Sequence, residues 1–175
     1  SLVNDLLNVS RIETGEKYKM DKKWENIISL LITVLQEQQI IADSKKIKIN
    51  LDNGGFSEFM MSFDRAKLYQ AVSNLINNAI KYSGNDSTIE LSFRQNGDNQ
   101  VIISVIDHGI GIPESEKKRV FEKFFRAENA IKIQTDGTGL GLYFARAVVL
   151  SHGGEMLFDS VEGQGTTFTI KLPIS

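Results

Sequence analysis

Asp-Gly-Thr-Gly-Leu-Gly-Leu, residues 136–142, runs directly into Tyr-Phe-Ala-Arg-Ala-Val-Val-Leu, residues 143–150. Gly137, Gly139 and Gly141 thus stand immediately ahead of an amphipathic helical pattern. Glycine costs backbone entropy, and inside a helix it costs roughly 1 kcal/mol relative to alanine. The G-x-G-x-G spacing departs from the dinucleotide fingerprint, and no convincing strand precedes it. It also lacks the Gly-Lys-Ser/Thr ending of a Walker loop. The run does feed a helix N-terminus, where unpaired N–H groups and the helix dipole attract anions. Phosphate is the economical occupant.

Two further glycine turns lie in the same half of the chain: Asp-His-Gly-Ile-Gly-Ile-Pro at 107–113 and Gly-Gln-Gly-Thr-Thr at 163–167. Around them the hydrophobic pattern alternates between helical and strand periods. Helical spacing covers 2–12, stopped by Thr14-Gly15, and again 27–42. Alternation predicts a strand over 46–51, a turn at Asn53-Gly54-Gly55, and a returning strand over 59–63. Asp64 is placed as the N-cap of a long helix reaching Tyr82. Strands over 88–94 and 100–106 flank Gln-Asn-Gly-Asp-Asn, a hairpin signal. A short helix over 114–126 follows Pro113, and 127–138 carries no period and reads as a loop. A helix near 140–151 closes at Gly153-Gly154, and strands near 155–159 and 166–172 end the chain. The order lacks a βαβ rhythm, so the expected class is α+β, a two-layer sandwich of a mixed, mainly antiparallel sheet packed against helices.

The 175 residues suffice for one domain with a core. With 41% hydrophobic and 24% charged residues, the composition is that of an ordinary soluble domain. A net charge of -2 gives no sign of a general nucleic-acid or anionic-membrane binder. The absence of cysteine excludes disulfides, thiolate metal sites and cysteine nucleophiles. No apolar run reaches membrane-spanning length and no signal peptide opens the chain. The chain starts mid-pattern without methionine, so it is expected to be a fragment of a longer parent.

Several groups could carry chemistry. Asp107 ends a mostly apolar strand, either as a turn-former for the glycines behind it or as an acceptor aimed into a pocket. On the long helix, Leu68, Val72, Leu75 and Ala79 form the core stripe. Asn74 and Asn78 lie one turn apart, and Lys81 and Tyr82 continue their line. Two asparagines cost helix propensity and add nothing to a core. They are a solvated stripe or neutral oxygen donors for a Mg²⁺ that keeps several waters and bridges to phosphates. Phe121, Phe124 and Phe125 serve core packing or form a lid or docking element, with Arg126 placed to neutralise a phosphate.

Together these stretches resemble the ATP-binding domain of sensor histidine kinases, of the superfamily shared with heat-shock chaperone and type II topoisomerase ATPases. Asn-Leu-Ile-Asn-Asn-Ala-Ile-Lys-Tyr-Ser at 74–83 is similar to that family's asparagine box, and 107–113 to its first glycine box. Phe-Glu-Lys-Phe-Phe-Arg at 121–126 is similar to the phenylalanine box, 137–142 to the second glycine box, and 163–168 to the closing glycine turn. Residues 2–13 resemble the last helix of the dimerisation domain upstream, so 1–15 is expected to end that domain and 16–175 to be the catalytic one.

The resemblance implies a Bergerat-type ATP-binding fold, with ATP and Mg²⁺ as cofactors. It implies that Asp107 accepts from the adenine amino group and that Asn78 ligates Mg²⁺ with Asn74 beside it. Lys81 and Arg126 would contact phosphates. Tyr82, Gly109, Gly111, Ile112, Phe125 and Thr166 would border the nucleotide. Gly137, Thr138, Gly139, Leu140, Gly141 and Leu142 would form the base of a mobile lid, the two leucines closing it or docking the histidine-bearing domain. His108 departs from the small or amide side chain frequent there.

Relatives that hydrolyse ATP carry glutamate where this sequence has Asn74. An amide cannot take a proton from water, so transfer to a nucleophile brought from elsewhere fits better. Neither His108 nor His152 lies in a phosphoacceptor context, and His152 is expected to cap a helix or sit on the surface. The implied partners are the parent's own dimerisation domain and a response-regulator receiver domain. The parent is expected to be a homodimer anchored in the cell membrane with this part cytoplasmic. A nucleotide-gated interaction module without kinase activity and an anti-sigma-type serine kinase are the alternatives.

Overall fold

In this computed structural model, which describes residues 20–174, the alternation in Val-Ile-Ile-Ser-Val-Ile-Asp decides where the active groups go. Strand β5 (Gln100–Asp107) turns Val101, Ile103, Val105 and Asp107 to its buried face. Asp107 is therefore the last inward residue of a strand whose other inward residues are core. Strand β7 (Gly165–Pro173) pairs antiparallel with it, setting Thr166 opposite Asp107 and Phe168 opposite Val105.

The sheet is completed by β2 (Lys48–Asp52), β4 (Thr88–Asn96) and β6 (Glu155–Val161), in the order β2-β4-β5-β7-β6. The β2–β4 pair is parallel and the rest antiparallel, the mixed, mainly antiparallel sheet expected. One face is covered by α1 (Ile27–Ala42), α2 (Arg65–Tyr82) and α4 (Gly141–Ser151), which makes the fold two layers. Inward residues of β4, β5 and β7 meet Leu30, Leu31 and Val34 of α1, Leu68, Val72 and Leu75 of α2, and Val148 and Val149 of α4 in one core. The stripe expected on the long helix, Leu68, Val72, Leu75 and Ala79, is buried, and Asp64 caps that helix, its Oδ1 accepting from Lys67 N at 3.1 Å.

The structure corrects four expectations. Residues 59–63 do not return to 46–51: β3 (Met60–Phe63) pairs with β1 (Lys23–Asn26) in a separate antiparallel ribbon. The Asn26 amide explains the exchange. Its Oδ1 accepts both from Ile28 N, capping α1, and from Phe59 N, and Ile27 N donates to the Phe59 carbonyl. The helix expected over 114–126 is only a short 3-10 helix, Glu114–Arg119, and Phe124 beyond it takes a left-handed φ of 61°. The expected loop over 127–138 contains a short helix, α3 (Glu128–Ile133). His152 does cap the end of α4, one of its two expected roles, but it is buried and not a surface group. The helix expected over 2–12 and the proposed end of an upstream domain at 15 lie outside the described residues. Among those described, no helix is long and apolar enough to cross a membrane.

Candidate nucleotide site

The C-terminal half of α2, the two glycine turns at 107–113 and 137–142, the phenylalanine segment and the start of β7 enclose a cavity of about 400 Å³. That volume suits a small-molecule ligand. Asn74, Asn78, Lys81 and Tyr82 reach it from one stripe of α2, whose opposite stripe is core. The helix end is held from two sides. Lys45 Nζ donates to the carbonyls of Ile80 and Lys81 at 2.9 Å each and of Ser83 at 3.3 Å, and Ile110 N donates to the Tyr82 carbonyl at 3.2 Å. A cation on the exposed carbonyls of a helix C-terminus also opposes the dipole.

Asp107 lines the cavity at 8% exposure. Its Oδ1 accepts from Gly109 N at 2.9 Å and Thr166 N at 3.3 Å, and among the described residues no protein donor is recorded on Oδ2. One oxygen thus organises the turn, the first of the two roles expected of Asp107, and the other is left without such a bond where the residue borders the cavity. Burial pushes its carboxyl above the ordinary range, against the pull of those two N–H groups and of exposed His108.

Of the expected site residues, Gly111, Ile112, Phe125, Arg126, Gly137, Thr138, Gly139, Gly141, Leu142 and Thr166 also line the cavity. Gly109 and Leu140 do not. Gly109 lies against the end of α2, where a Cβ would sit 2.8 Å from the Tyr82 carbonyl carbon, so its lack of side chain allows turn and helix to meet. Leu140 is fully buried at the start of α4, its N–H donating to Thr138 Oγ1 at 3.2 Å. It belongs to the core beneath the lid and not to a docking face.

Gly139 has a φ of 68°, and a Cβ there would lie 2.6 Å from the Phe124 carbonyl carbon. Gly141 brings the turn against α2, within 3.5 Å of Asn74 Oδ1 measured from the same idealised position. The three phenylalanines separate. Phe121 packs edge-on against Phe158 at 5.6 Å, Phe124 is 60% exposed, and Phe125 faces the cavity under the Arg119 guanidinium. Arg126 donates to the carbonyls of Gln134, Thr135 and Gly137. It thus ties down the lid backbone in addition to bordering the cavity.

The cavity also contains groups missed in the sequence, notably Asn77, Val120, Asn129 and Phe168. Phe168 was findable, since it follows Thr166 at strand period. Asn129, whose Nδ2 donates to the Gly111 carbonyl at 3.0 Å, lies in a segment without a periodic signal. Among the described residues no three His, Cys, Asp or Glu side chains gather to hold a metal. The donors near the lid are amides and Lys81, which suits a cation held chiefly by phosphates and water.

An α+β sandwich whose cavity is lined by an acidic group, amides, a lysine and two glycine-rich turns defines a nucleotide-binding domain. Residues 63–175 match the histidine kinase-, DNA gyrase B-, and HSP90-like ATPase family, and the chain belongs to it. The sensor histidine kinase WalK of Bacillus subtilis (strain 168) is 34% identical over 174 residues, which are 98% of this chain and 28% of that protein. The structure of full-length ShkA in complex with AMPPNP superposes with a TM-score of 0.84 at 27% identity, covering 99% of this chain and 35% of ShkA. A nucleotide-free form of the catalytic domain of histidine kinase ThkA gives 0.76 at 26% identity, covering 89% of this chain and 99% of that domain. The chain thus spans well under half of the two longer proteins.

Proposed function

We propose that this chain is the ATP-binding catalytic module of a sensor histidine kinase. In this reading it transfers the γ-phosphoryl of Mg·ATP to a histidine on the parent's dimerisation domain. The observation that carries it is the convergence of Asn74, Asn78 and Lys81 with Asp107 and the glycine lid on one cavity. ShkA, similar over the whole chain, is described in complex with an ATP analogue.

Asp107 Oδ2 accepts from the adenine amino group. Asn78 would offer an amide oxygen to Mg²⁺ with Asn74 beside it, Lys81 would meet phosphate oxygens, and Gly137, Thr138 and Gly139 would close over them. The metal, when bound, would supply neutralisation of phosphate charge. A neutral imidazole nitrogen attacks the γ-phosphorus, the bond to the β–γ bridging oxygen breaks, and ADP leaves. Asn74 cannot deprotonate water, which protects the γ-phosphoryl until the histidine arrives. The phosphohistidine then passes its group to a receiver-domain aspartate. The parent is a homodimer, anchored in the cell membrane, with this module on the cytoplasmic side.

The test is to mix the chain with a separately made dimerisation domain and γ-labelled Mg·ATP. Acid-labile phosphohistidine on the added domain, and none on this chain alone, is expected. Label appearing on this chain alone, or full transfer by Asn78→Asp, would overturn the assignment.

A further inference from the structure

Ser160, in β6, is 3% exposed and outside the cavity wall, yet it joins three parts of the base pocket. Its Oγ accepts from Ile112 N at 2.9 Å, lies 3.0 Å from the Gly165 carbonyl, and lies 2.9 Å from Thr166 Oγ1. A serine hydroxyl has one proton to give and two lone pairs. The Ile112 N–H can only donate and the Gly165 carbonyl can only accept. Ser160 therefore gives its proton to Gly165, and the arrangement that satisfies every group has the Thr166 hydroxyl donating to Ser160. Every hydrogen-bonding valence of Ser160 is then used, as a buried hydroxyl requires.

The consequence falls on Thr166, which lines the cavity and stands opposite Asp107 in the β5–β7 register. With its proton held by Ser160, Thr166 can face a ligand only as an acceptor. Asp107 Oδ2 is an acceptor as well. We infer that Ser160 is a specificity-positioning residue: by fixing the Thr166 hydroxyl as an acceptor opposite Asp107 it withholds a donor from a purine held at Asp107, selecting a 6-amino purine over a 6-oxo purine. This rests on the reading of Asp107 as the adenine-facing carboxylate.

Pockets that hydrogen-bond a defined pattern reject analogues of opposite polarity, because buried groups are left facing like groups. Placed with its 6-position at Asp107, a 6-oxo purine turns a carbonyl toward a carboxylate, and the Thr166 hydroxyl has no proton to offer it. Without Ser160 the Thr166 hydroxyl is free to rotate its proton into the cavity and donate to that carbonyl.

The experiment is calorimetric titration of Mg·ATP and Mg·ITP into the wild type, Ser160→Ala and Ser160→Cys. Cysteine keeps the volume with a weak hydrogen-bonding group, and melting curves check folding. The wild type should prefer ATP, and in the variants the ITP/ATP ratio of Kd should narrow about tenfold, chiefly through better ITP binding. A purely structural loss would weaken both nucleotides and leave the ratio in place. An unchanged ratio in a folded variant, or no preference in the wild type, overturns the inference while leaving the nucleotide reading intact. Failure of the wild type to bind ATP overturns the functional reading itself.

Discussion

Asp107→Asn separates what the aspartate does for the fold from what it does for the ligand. Asparagine retains Oδ1, and with it the bonds from Gly109 N at 2.9 Å and Thr166 N at 3.3 Å, so the glycine turn should survive. The change is at the other atom, where a charged acceptor becomes an N–H donor that, in the proposed site, would face the amino group of adenine. A hydrogen bond to a charged group contributes about 1.5–3 kcal/mol, and the unpaired donor adds about 1 kcal/mol more. Together they predict that Mg·ATP binding weakens about 10²–10³-fold. Stability should move the other way. Burial raises the Asp107 pKa above 3.8, so its ionisation costs the native state at any pH above the folded pKa, a cost absent below 3.8. Asparagine removes that cost, and the variant should melt at or above the wild-type temperature at pH 7.5, the gap closing in acid. Calorimetry with Mg·ATP and thermal melts at pH 7.5 provide both readings. Binding within threefold of wild type would refute the ligand role, and a melting point several degrees lower would show the charge to be structural.

Gly139→Ala should weaken nucleotide binding about tenfold or more. Alanine there carries a left-handed penalty of about 1–2 kcal/mol and sets its Cβ against the Phe124 backbone, which displaces the lid; titration with Mg·ATP measures it. Lys45→Met leaves three carbonyls at the end of α2 without their cation, at a cost of about 1–2 kcal/mol. That corresponds to a melting point lower by about 2–8 °C, with Lys45→Arg closer to wild type. His152 is held below 6.5, first by burial and then by Lys22 and Lys67, against the opposite pull of Val148 and Asp64. A depressed histidine leaves the native state binding fewer protons than the unfolded chain, so stability is whole above 6.5 and falls as pH drops below it toward the folded pKa. His152→Gln should flatten the melting temperature between pH 7.5 and 5.5, and an unchanged slope would assign the acid sensitivity elsewhere.

The glycine turns, the asparagine stripe and the strand ending at Asp107 were legible because each obeys a local rule: a period, a cap, or a backbone that must approach closely. Their convergence was legible only through the family resemblance, since no local rule brings 74–82, 107–113 and 137–142 to one cavity. The ribbon of β1 and β3 was not legible. Four residues, Lys-Trp-Glu-Asn, show no decisive alternation, and the backbone pairing is accompanied by the Asn26 amide, which caps a helix and fastens Phe59 just ahead of β3 at once. His152 misled for a related reason. A histidine before two glycines looks like a helix end in water, but its Nε2 accepts from Asp64 N at 3.0 Å, 88 residues away. The segment after Pro113 read as a helix through Arg126, but it ends at Arg119, and Phe124 takes a left-handed φ where its backbone lies close against Gly139, a tertiary contact.

The two ends of α2 explain why the cavity can be firm on one side and adjustable on the other. Asp64 caps the N-terminus, accepts from Asp21 N at 2.9 Å and from Lys67 Nζ at 3.0 Å, and gives its own N–H to His152. Burial pushes Asp64 up, but those N–H bonds and the Lys67 ammonium outweigh it and hold the carboxyl below 3.8. Lys45 holds the other end. Asn74, Asn78 and Lys81 are thus mounted on a helix fastened at both termini and buried along one stripe, and Asp107 stands on a central strand. The lid has weaker moorings. Between α3 and α4 it is held by Arg126 on its own carbonyls and by Thr138 on Leu140, and α3 is joined to the first glycine turn by Asn129. Segments fastened by a few half-exposed hydrogen bonds open at lower free energy than the core they rest on. In the proposed function, a nucleotide that engages both sides would meet preset groups on α2 and β5, and its phosphates would order the glycine run that the sequence first brought to notice.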